Sequence, residues 1–262
     1  MVKKAFIVGI NYKETNNELY GCINDAENMR NYLLSQGYTN IKLISDDTEE
    51  KPTKSNILNG LNWLIENSTE NDSLFFHYSG HGTNTIDLSG DEIDGLDEAI
   101  CPLDLMNYPS FSEGLIIDDD IYKIFSQAKG KIFCVFDCCH SGTIMDLKYN
   151  YKQIDENNMS IFRSGNSGNN EGNNEGNNKT NFILCISGCR DNQTSADTVM
   201  GNLPQGALSG ILLEILNSRN NQYISYKSLM VELVKLMRER GYSQVPQFSS
   251  NTYLNLKDKW NV

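Results

Sequence analysis

The sequence has little of several features that mark special classes of protein. No stretch approaches the roughly twenty apolar residues of a membrane-spanning helix, and the early apolar run from Ala5 to Ile10 is too short for a signal-peptide core. Basic residues are also scarce, because 22 Lys and Arg stand against 34 Asp and Glu, a net charge of −12. This balance disfavours a nucleic-acid partner and favours cationic ones, namely basic peptides or divalent metals. We therefore expect no nucleic-acid partner and no membrane partner.

Regular cysteine spacing is also missing. The seven cysteines are odd in number and do not form the spacing of a disulfide framework, so we expect a reducing compartment and a cytoplasmic protein. Histidine is limited to three residues in the 262-residue chain. A chain of this length is sufficient for one large domain with a substantial core.

Short apolar segments alternate with amphipathic ones along the chain. Four continuous runs rich in β-branched and aromatic residues predict strands covered on both faces. Amphipathic patterns between and after them predict helices. The alternation indicates an α/β fold in which helices flank a mainly parallel sheet. The predicted strands are Lys4–Gly9, Ser73–Ser79, Lys131–Asp137 and Asn181–Ser187, and the predicted helices are Asp25–Gln36, Thr53–Glu66, Asp118–Gln127, Gly206–Asn217 and Tyr226–Gly241.

One low-complexity segment divides the chain. Residues 164–178 read SGNSGNNEGNNEGNN and contain no apolar side chain, so they are predicted to form a disordered linker. A larger part, 1–150, is thus separated from a smaller part, 181–262, by the Asn/Gly-rich connection 151–180. The smaller part has too few predicted strands to form a domain alone. We expect both parts to share one sheet within a single domain, 1–262.

Two predicted strands end in residues that can carry chemistry. His81 follows the second strand and lies between two glycines, whereas Cys138, Cys139 and His140 follow the third strand. The carboxyl ends of neighbouring parallel strands meet at one edge of a sheet, which would bring a histidine and a cysteine together. A histidine beside a thiolate is an arrangement for nucleophilic catalysis. The pattern leaves open which cysteine acts, whether both are merely small buried residues, and whether these side chains with His77 bind zinc.

Four motifs carry a resemblance to a known family. YSGHG at 78–82 and DCCHSG at 137–142 resemble the catalytic motifs of metacaspases, which are caspase-like cysteine peptidases, and their spacing is close to the ~50 residues that separate the caspase His and Cys. LYGCINDA at 19–26 and SGCRDNQTSAD at 187–197 extend the resemblance over nearly the whole chain. It implies a caspase-like three-layer sandwich. Because the first predicted strand begins at Lys4, we expect a type I-like member without a prodomain.

The resemblance implies roles for individual residues. Cys139 is expected to be the nucleophile and His81 its base and acid, and the backbone N–H groups of Cys139 and Gly82 are expected to hold the oxyanion. A specificity pocket with two carboxylates favours a guanidinium or ammonium group, so we expect cleavage of basic peptides after Arg or Lys. Taken alone, Asp25 is equally well explained as a helix N-cap. The implied pocket residues are Cys22, Asp25, Ser79 and Asp137.

Acidic residues form a second concentration. Seven acids and no base lie between positions 87 and 104, and three aspartates follow at 118–120. Most of them are expected to be solvated, and the three aspartates also suit the first turn of a helix. Gathered carboxylates nevertheless favour a cation such as Ca²⁺, which takes about six to eight oxygen ligands. The resemblance implies a calcium site that orders the cleft. Its implied ligands are Asp97, Asp118, Asp119 and Asp146.

Several questions about activity and assembly stay open at this level. The main alternative to a peptidase is a non-catalytic caspase-like scaffold or calcium-responsive interaction module, and a paired-carboxylate glycosidase is a weaker one. The presence of both His81 and Cys139 favours the peptidase. The family points to a monomer. Self-cleavage near the linker would use one of its neighbouring basic residues, which are Lys148, Lys152, Arg163 and Lys179.

Overall fold

The computed structural model describes residues 1–87, 95–139, 144–145, 147–153, 159–163, 181–188, 197–200, 203–219 and 222–262. Helices and strands alternate through the first part of the chain. The helices are α1 (Cys22–Ser35), α2 (Lys54–Ile65), α3 (Phe111–Gly114), α4 (Asp118–Phe125), α5 (Ala207–Ser218) and α6 (Tyr226–Glu239). The strands are β1 (Lys3–Gly9), β2 (Asn40–Ser45), β3 (Ser73–Ser79), β4 (Gly82–Ile86), β5 (Leu96–Ile100), β6 (Ile116–Ile117), β7 (Lys131–Asp137), β8 (Tyr149–Gln153), β9 (Met159–Arg163), β10 (Phe182–Ser187), β11 (Asp197–Met200), β12 (Leu203–Gly206) and β13 (Gln247–Ser250).

An eight-stranded sheet in the order β2-β1-β3-β7-β10-β13-β8-β9 forms the centre of the fold. Strands β2, β1, β3, β7 and β10 run parallel to one another. Strands β13, β8 and β9 continue the sheet with antiparallel pairings. The predicted α/β class with a mainly parallel sheet is therefore confirmed. A small sheet, β4-β5-β6, and the hairpin β11-β12 lie outside the large sheet.

Segments from before and after residues 164–180 interleave in this sheet. Strands β10 and β13 follow that segment in the chain, yet they lie between β7 and β8, which precede it. Strand β13 pairs with β10 on one side and with β8 on the other. Neither part of the chain therefore contains a complete version of the sheet.

Two apolar layers sandwich the sheet between helices. Because side chains alternate along a strand, Phe75 and Phe133 pack with α1, α5 and α6 on one face. Phe76 and Cys134 pack with α2 and α4 on the other. The fold is thus a three-layer sandwich. In the part of the chain that the structure describes, no helix is long and apolar enough to cross a bilayer.

The helix starts differ from the simplest sequence-based expectation. Helix α1 begins at Cys22 with Gly21 at its N-cap position, and no side chain caps it. The interpretation of Asp25 as an N-cap is therefore wrong, because Asp25 lies inside the first turn. Helix α2 is capped by Thr53, whose side chain accepts from the backbone N–H of Asn56.

Candidate active site

The catalytic candidates lie where two central strands end. Strands β3 and β7 are neighbours with Ser79 opposite Asp137, so His81 and Cys139 each lie two residues beyond a paired position. The backbone at Gly82 packs directly on the cysteine segment: a Cβ there would lie 2.2 Å from the carbonyl oxygen of Cys139 and 3.1 Å from Cys138 Sγ. Any other residue at Gly82 would push the histidine and cysteine segments apart.

Cys139 is less buried than the other cysteines that the structure describes. Cys138 is 1% exposed, whereas Cys139 is half-buried. Burial raises the pKa of the Cys185 thiol to about 12, and burial together with the neighbouring Cys139 raises that of Cys101 to about 12. Burial also places the pKa of Cys134 well above its usual range. Thiols held in this state are poor nucleophiles, so Cys139 is the accessible candidate.

The imidazole of His81 is held by the loop between β1 and α1. Its Nε2 lies 2.7 Å from the backbone carbonyl oxygen of Asn17. A carbonyl only accepts, so Nε2 carries the proton and Nδ1 is left as the basic nitrogen. The ring also lies on Tyr12, with 4.6 Å between the ring centroids.

The predicted pocket residues meet at the start of α5. The Ser79 hydroxyl donates to Asp25 at 2.7 Å, and the backbone N–H of Gly206 donates to the same carboxylate at 2.9 Å. The backbone N–H of Ser209 donates to Asp137 at 2.8 Å. Asp25 and Asp137 are 1% and 4% exposed. Amides at a helix N-terminus stabilise anions, which favours ionised carboxylates in this buried position.

Two more residues border the pocket cluster. Cys22 is buried at the start of α1, within the same turn as Asp25. Behind the cluster, His77 Nε2 lies 3.0 Å from the Ser209 hydroxyl. Burial lowers the pKa of His77 to about 3, so this histidine is neutral and adds no positive charge beside the two carboxylates. The chemistry of this cluster suits a cationic group.

The acidic residues proposed for calcium that the structure describes lie on β5 and at the start of α4. Antiparallel pairing of β5 with β6 brings Asp97 beside the start of α4, where Asp118 and Asp119 lie. Asp97 and Asp118 are 5% and 1% exposed, and Asp118 accepts from the backbone N–H of Met145 at 3.2 Å. Carboxylate oxygens match the donor type that Ca²⁺ prefers. Among the residues that the structure describes, however, no group of three or more His, Cys, Asp or Glu side chains is arranged to bind a metal.

Some sequence-based predictions fall outside the described ranges. The fourth implied calcium ligand, Asp146, is one of them, and so are the predicted linker 164–178 and most of the motif at 187–197. The zinc alternative depends partly on His140, which also lies outside.

Sequence reasoning missed several residues that border the site. Tyr12 and Asn17 contact His81 from a loop whose sequence gives no periodic signal. The backbone N–H of Cys101 donates to the His81 carbonyl at 3.1 Å. Gly206 and Ser209 were detectable only as the start of an apolar helix. They contact Asp25 and Asp137, which lie more than 70 residues away in the chain, so no local sequence pattern indicates these contacts.

Comparisons with known proteins agree on one family. Residues 3–148 match the model of the metacaspase, peptidase C14 domain. Metacaspase-1 of Meyerozyma guilliermondii is 36% identical over 95% of this chain and 69% of its own length. Metacaspase-1 of Schizosaccharomyces pombe is 35% identical over 97% and 68%, and that of Pyricularia oryzae is 34% identical over 99% and 74%. A solved Geobacter sulfurreducens structure covers 98% of this chain and 97% of its own with a TM-score of 0.67 at 23% identity, a likeness of fold.

Proposed function

The chain belongs to the metacaspase family of cysteine peptidases, and from this premise we propose that it is an endopeptidase that cleaves after Arg or Lys. Cys139 is the proposed nucleophile and His81 the proposed base. One observation carries this assignment: Cys139 is the single partly exposed cysteine among those described, and its backbone carbonyl packs against Gly82 of the His81 segment, at the ends of two neighbouring strands.

The proposed reaction proceeds by acyl transfer. His81 Nδ1 takes the proton of the Cys139 thiol, and the thiolate forms a bond to the scissile carbonyl carbon. Backbone N–H groups of Cys139 and Gly82 stabilise the oxyanion. The protonated His81 then gives its proton to the leaving amine as the C–N bond breaks. Water, deprotonated by the same nitrogen, hydrolyses the thioester and regenerates the thiol.

Basic specificity is proposed for the pocket formed by Cys22, Asp25, Ser79 and Asp137. Two buried carboxylates at one helix N-terminus support it. A guanidinium group can form paired hydrogen bonds with a carboxylate, and its charge would be matched at low dielectric. An aspartate side chain at the same position would be repelled.

One assay tests both the chemistry and the specificity. The parent, Cys138→Ala and Cys139→Ala are each given Arg-containing and Asp-containing fluorogenic peptides. We expect the parent and Cys138→Ala to hydrolyse only the Arg peptide and Cys139→Ala to be inactive. Asp25→Asn in the parent is expected to raise KM for the Arg peptide. Full activity of Cys139→Ala would refute the nucleophile, and no hydrolysis by the parent would favour the scaffold alternative.

We also propose that Ca²⁺ binds near Asp97, Asp118, Asp119 and Asp146. The acidic first turn of α4 and the preference of Ca²⁺ for carboxylate oxygens support the proposal. Bound calcium would neutralise the loops beside β5 and α4 and order the cleft. Chelation is expected to lower hydrolysis of the Arg peptide, and Asp118→Asn should abolish the response to added calcium. Equal activity in chelator and in calcium would contradict the proposal.

We also propose that the protein cleaves itself, is cytoplasmic and is a monomer. Lys148 is exposed just before β8 and Lys152 is half-buried within it, so a basic-specific peptidase has candidate sites in its own chain, Arg163 and Lys179 included. Intact-mass measurement after incubation, with Cys139→Ala as control, tests this. A reducing, cytoplasmic location is also proposed, because the six cysteines that the structure describes form no disulfide with one another. A monomer is proposed, and sedimentation would reveal any dimer.

A further inference from the structure

We propose that Tyr12 is a positioning residue for the catalytic imidazole, acting together with Tyr78. The inference rests on the proposed role of His81 as the base. Tyr12 lies three residues beyond β1, in the loop that leads to α1. Its contribution is to fix where His81 Nδ1 points.

The two tyrosine hydroxyls hold both peptide groups of His81. The backbone N–H of His81 donates to the Tyr12 hydroxyl at 3.0 Å. The backbone carbonyl of His81 accepts from the Tyr78 hydroxyl at 2.8 Å. The two hydroxyl oxygens lie 3.1 Å apart, and Tyr12 donates onward to the carbonyl of Cys101 at 2.6 Å. The backbone of His81 is therefore fixed on both sides of its Cα.

The ring of Tyr12 also restricts the imidazole itself. The ring centroids are 4.6 Å apart with an interplanar angle of 38°, a distance typical of favourable aromatic pairs. Together with the contact from Nε2 to Asn17, this leaves Nδ1 as the ring nitrogen available to the thiol. Tyr12 thus supports the histidine through its hydroxyl and through its face.

Local structure is adapted to this arrangement at two places. Tyr12 has a φ of 52°, in the left-handed region that a bulky residue seldom occupies. Such strain persists where surrounding contacts determine it and is concentrated at functional sites. A Cβ at Gly80 would lie 2.7 Å from the Tyr78 hydroxyl and 3.1 Å from the Tyr12 hydroxyl. Because Gly80 has no side chain, there is room beside it for the hydroxyl groups of Tyr12 and Tyr78.

Both phenols remain protonated, as this role requires. Burial is the largest cause that raises the pKa of Tyr12 and Tyr78 well above the usual value. A neutral phenol can accept from the His81 N–H and donate to a carbonyl at the same time, whereas a phenolate could not donate. The arrangement is therefore insensitive to pH across the working range of a cysteine peptidase.

The test measures the thiol rather than peptide cleavage. Iodoacetamide alkylates a thiolate as the S–C bond forms and iodide leaves, and mass spectrometry of the Cys139 peptide gives the rate constant at each pH. In Tyr12→Phe we expect alkylation near pH 6.5 to be slower by about tenfold or more, since an aligned base contributes at least this much. Above about pH 9.5, where a free thiol ionises unaided, parent and variant rates should converge. With the Arg peptide, kcat should fall while KM is unchanged.

Tyr38→Phe is the matched control. Its hydroxyl is also buried and bonded, to Ser73 Oγ at 2.8 Å, but at the opposite end of β3. It should lose similar stability and keep the parent alkylation profile. Tyr78→Phe should reproduce Tyr12→Phe in part, and it serves if Tyr12→Phe does not fold. A parent profile in both site variants, while His81→Ala is slow at pH 6.5, overturns the inference alone. A parent profile in His81→Ala overturns the proposed dyad.

Discussion

His77, which is buried behind the proposed pocket, shows how strongly the surroundings of a side chain affect its charge state. His77 and His81 lie four residues apart, but His77 is fully buried against Ser209 whereas His81 lies at the site entrance among loop residues. Burial lowers the pKa of His77 to about 3. The same residue type is thus a neutral structural group at one position and the proposed base at the other.

This burial makes stability depend on pH. Between about pH 3 and pH 6.5 only the unfolded chain protonates His77, so the unfolded state gains a proton and stability falls as pH falls. The loss is at most about 1.4 kcal/mol per pH unit in this window, and none above it. Urea unfolding from pH 4.5 to 7.5 measures it, and His77→Gln should show a shallower slope than the parent. Parallel curves for the two proteins would contradict the buried neutral state.

The sequence motifs predicted which residues form the candidate site, but they did not predict the surroundings of each side chain. The positions of His81 and Cys139 after apolar strands were sufficient to predict that their segments meet. The strand pattern did not distinguish Cys138 from Cys139, whereas the resemblance to metacaspases implied Cys139, which is also the more exposed of the two. Asp25 had the appearance of a cap by residue type, whereas its side chain instead accepts from Ser79 and Gly206. Tertiary hydrogen bonds overrode the local preference.

At the scale of elements, the start of α5 forms a wall of the proposed pocket. A Cβ at Gly206 would lie 2.2 Å from Asp137 Oδ2 and 2.8 Å from Asp25 Oδ2. The glycine lets the helix approach both carboxylates closely enough for its amides to bind them. The C-terminal part of the chain therefore completes a site whose carboxylates lie in the N-terminal part.

Gly206→Ala tests the importance of this approach. The added methyl group has to displace a carboxylate or the helix, and overpacking of this kind costs about 1–3 kcal/mol. We expect reduced stability and a higher KM for the Arg peptide, measured by urea unfolding and steady-state kinetics. Ser225→Ala is the control, because it removes only the N-cap of α6, at about 1 kcal/mol. An unchanged KM in Gly206→Ala would count against α5 as a pocket wall.

Elements with continuous apolar runs were predictable, and short polar ones were not. The ends of β3 and β7 match the predicted strands because both are buried throughout or nearly so. Strand β4 has the sequence GTNTI and is only partly buried. Its pairing with β5 depends on partner residues rather than on its own pattern. The same applies to β8, whose polar sequence YNYKQ is placed by β13.

At the scale of the whole molecule, charge is the dominant property. The net charge of −12 would attract the proposed basic substrates over distances comparable to the Debye length, which is about 10 Å at 0.1 M salt. This attraction adds to the local effect of the two pocket carboxylates, and the two contributions differ in their sensitivity to salt.

Ionic strength should therefore change the encounter more than the chemistry. For an Arg-rich peptide, kcat/KM is expected to fall by about tenfold between about 20 mM and about 500 mM NaCl, with kcat nearly constant. Alkylation of Cys139 by the uncharged iodoacetamide is the control and should not respond to salt. If kcat/KM for the Arg-rich peptide were flat over this range, substrate attraction would arise from the buried pocket alone.

The interleaved sheet has a consequence for synthesis on the ribosome. Strand β8 pairs with β13, and β13 ends at Ser250, so residues 149–153 have no inner partner until almost the whole chain has been translated. The carboxylates of Asp25 and Asp137 likewise lack the backbone N–H donors of Gly206 and Ser209 until these residues are synthesised. A nascent chain would carry the proposed nucleophile for many seconds before its surroundings exist. Translation order therefore places completion of the proposed pocket well after synthesis of its two carboxylates.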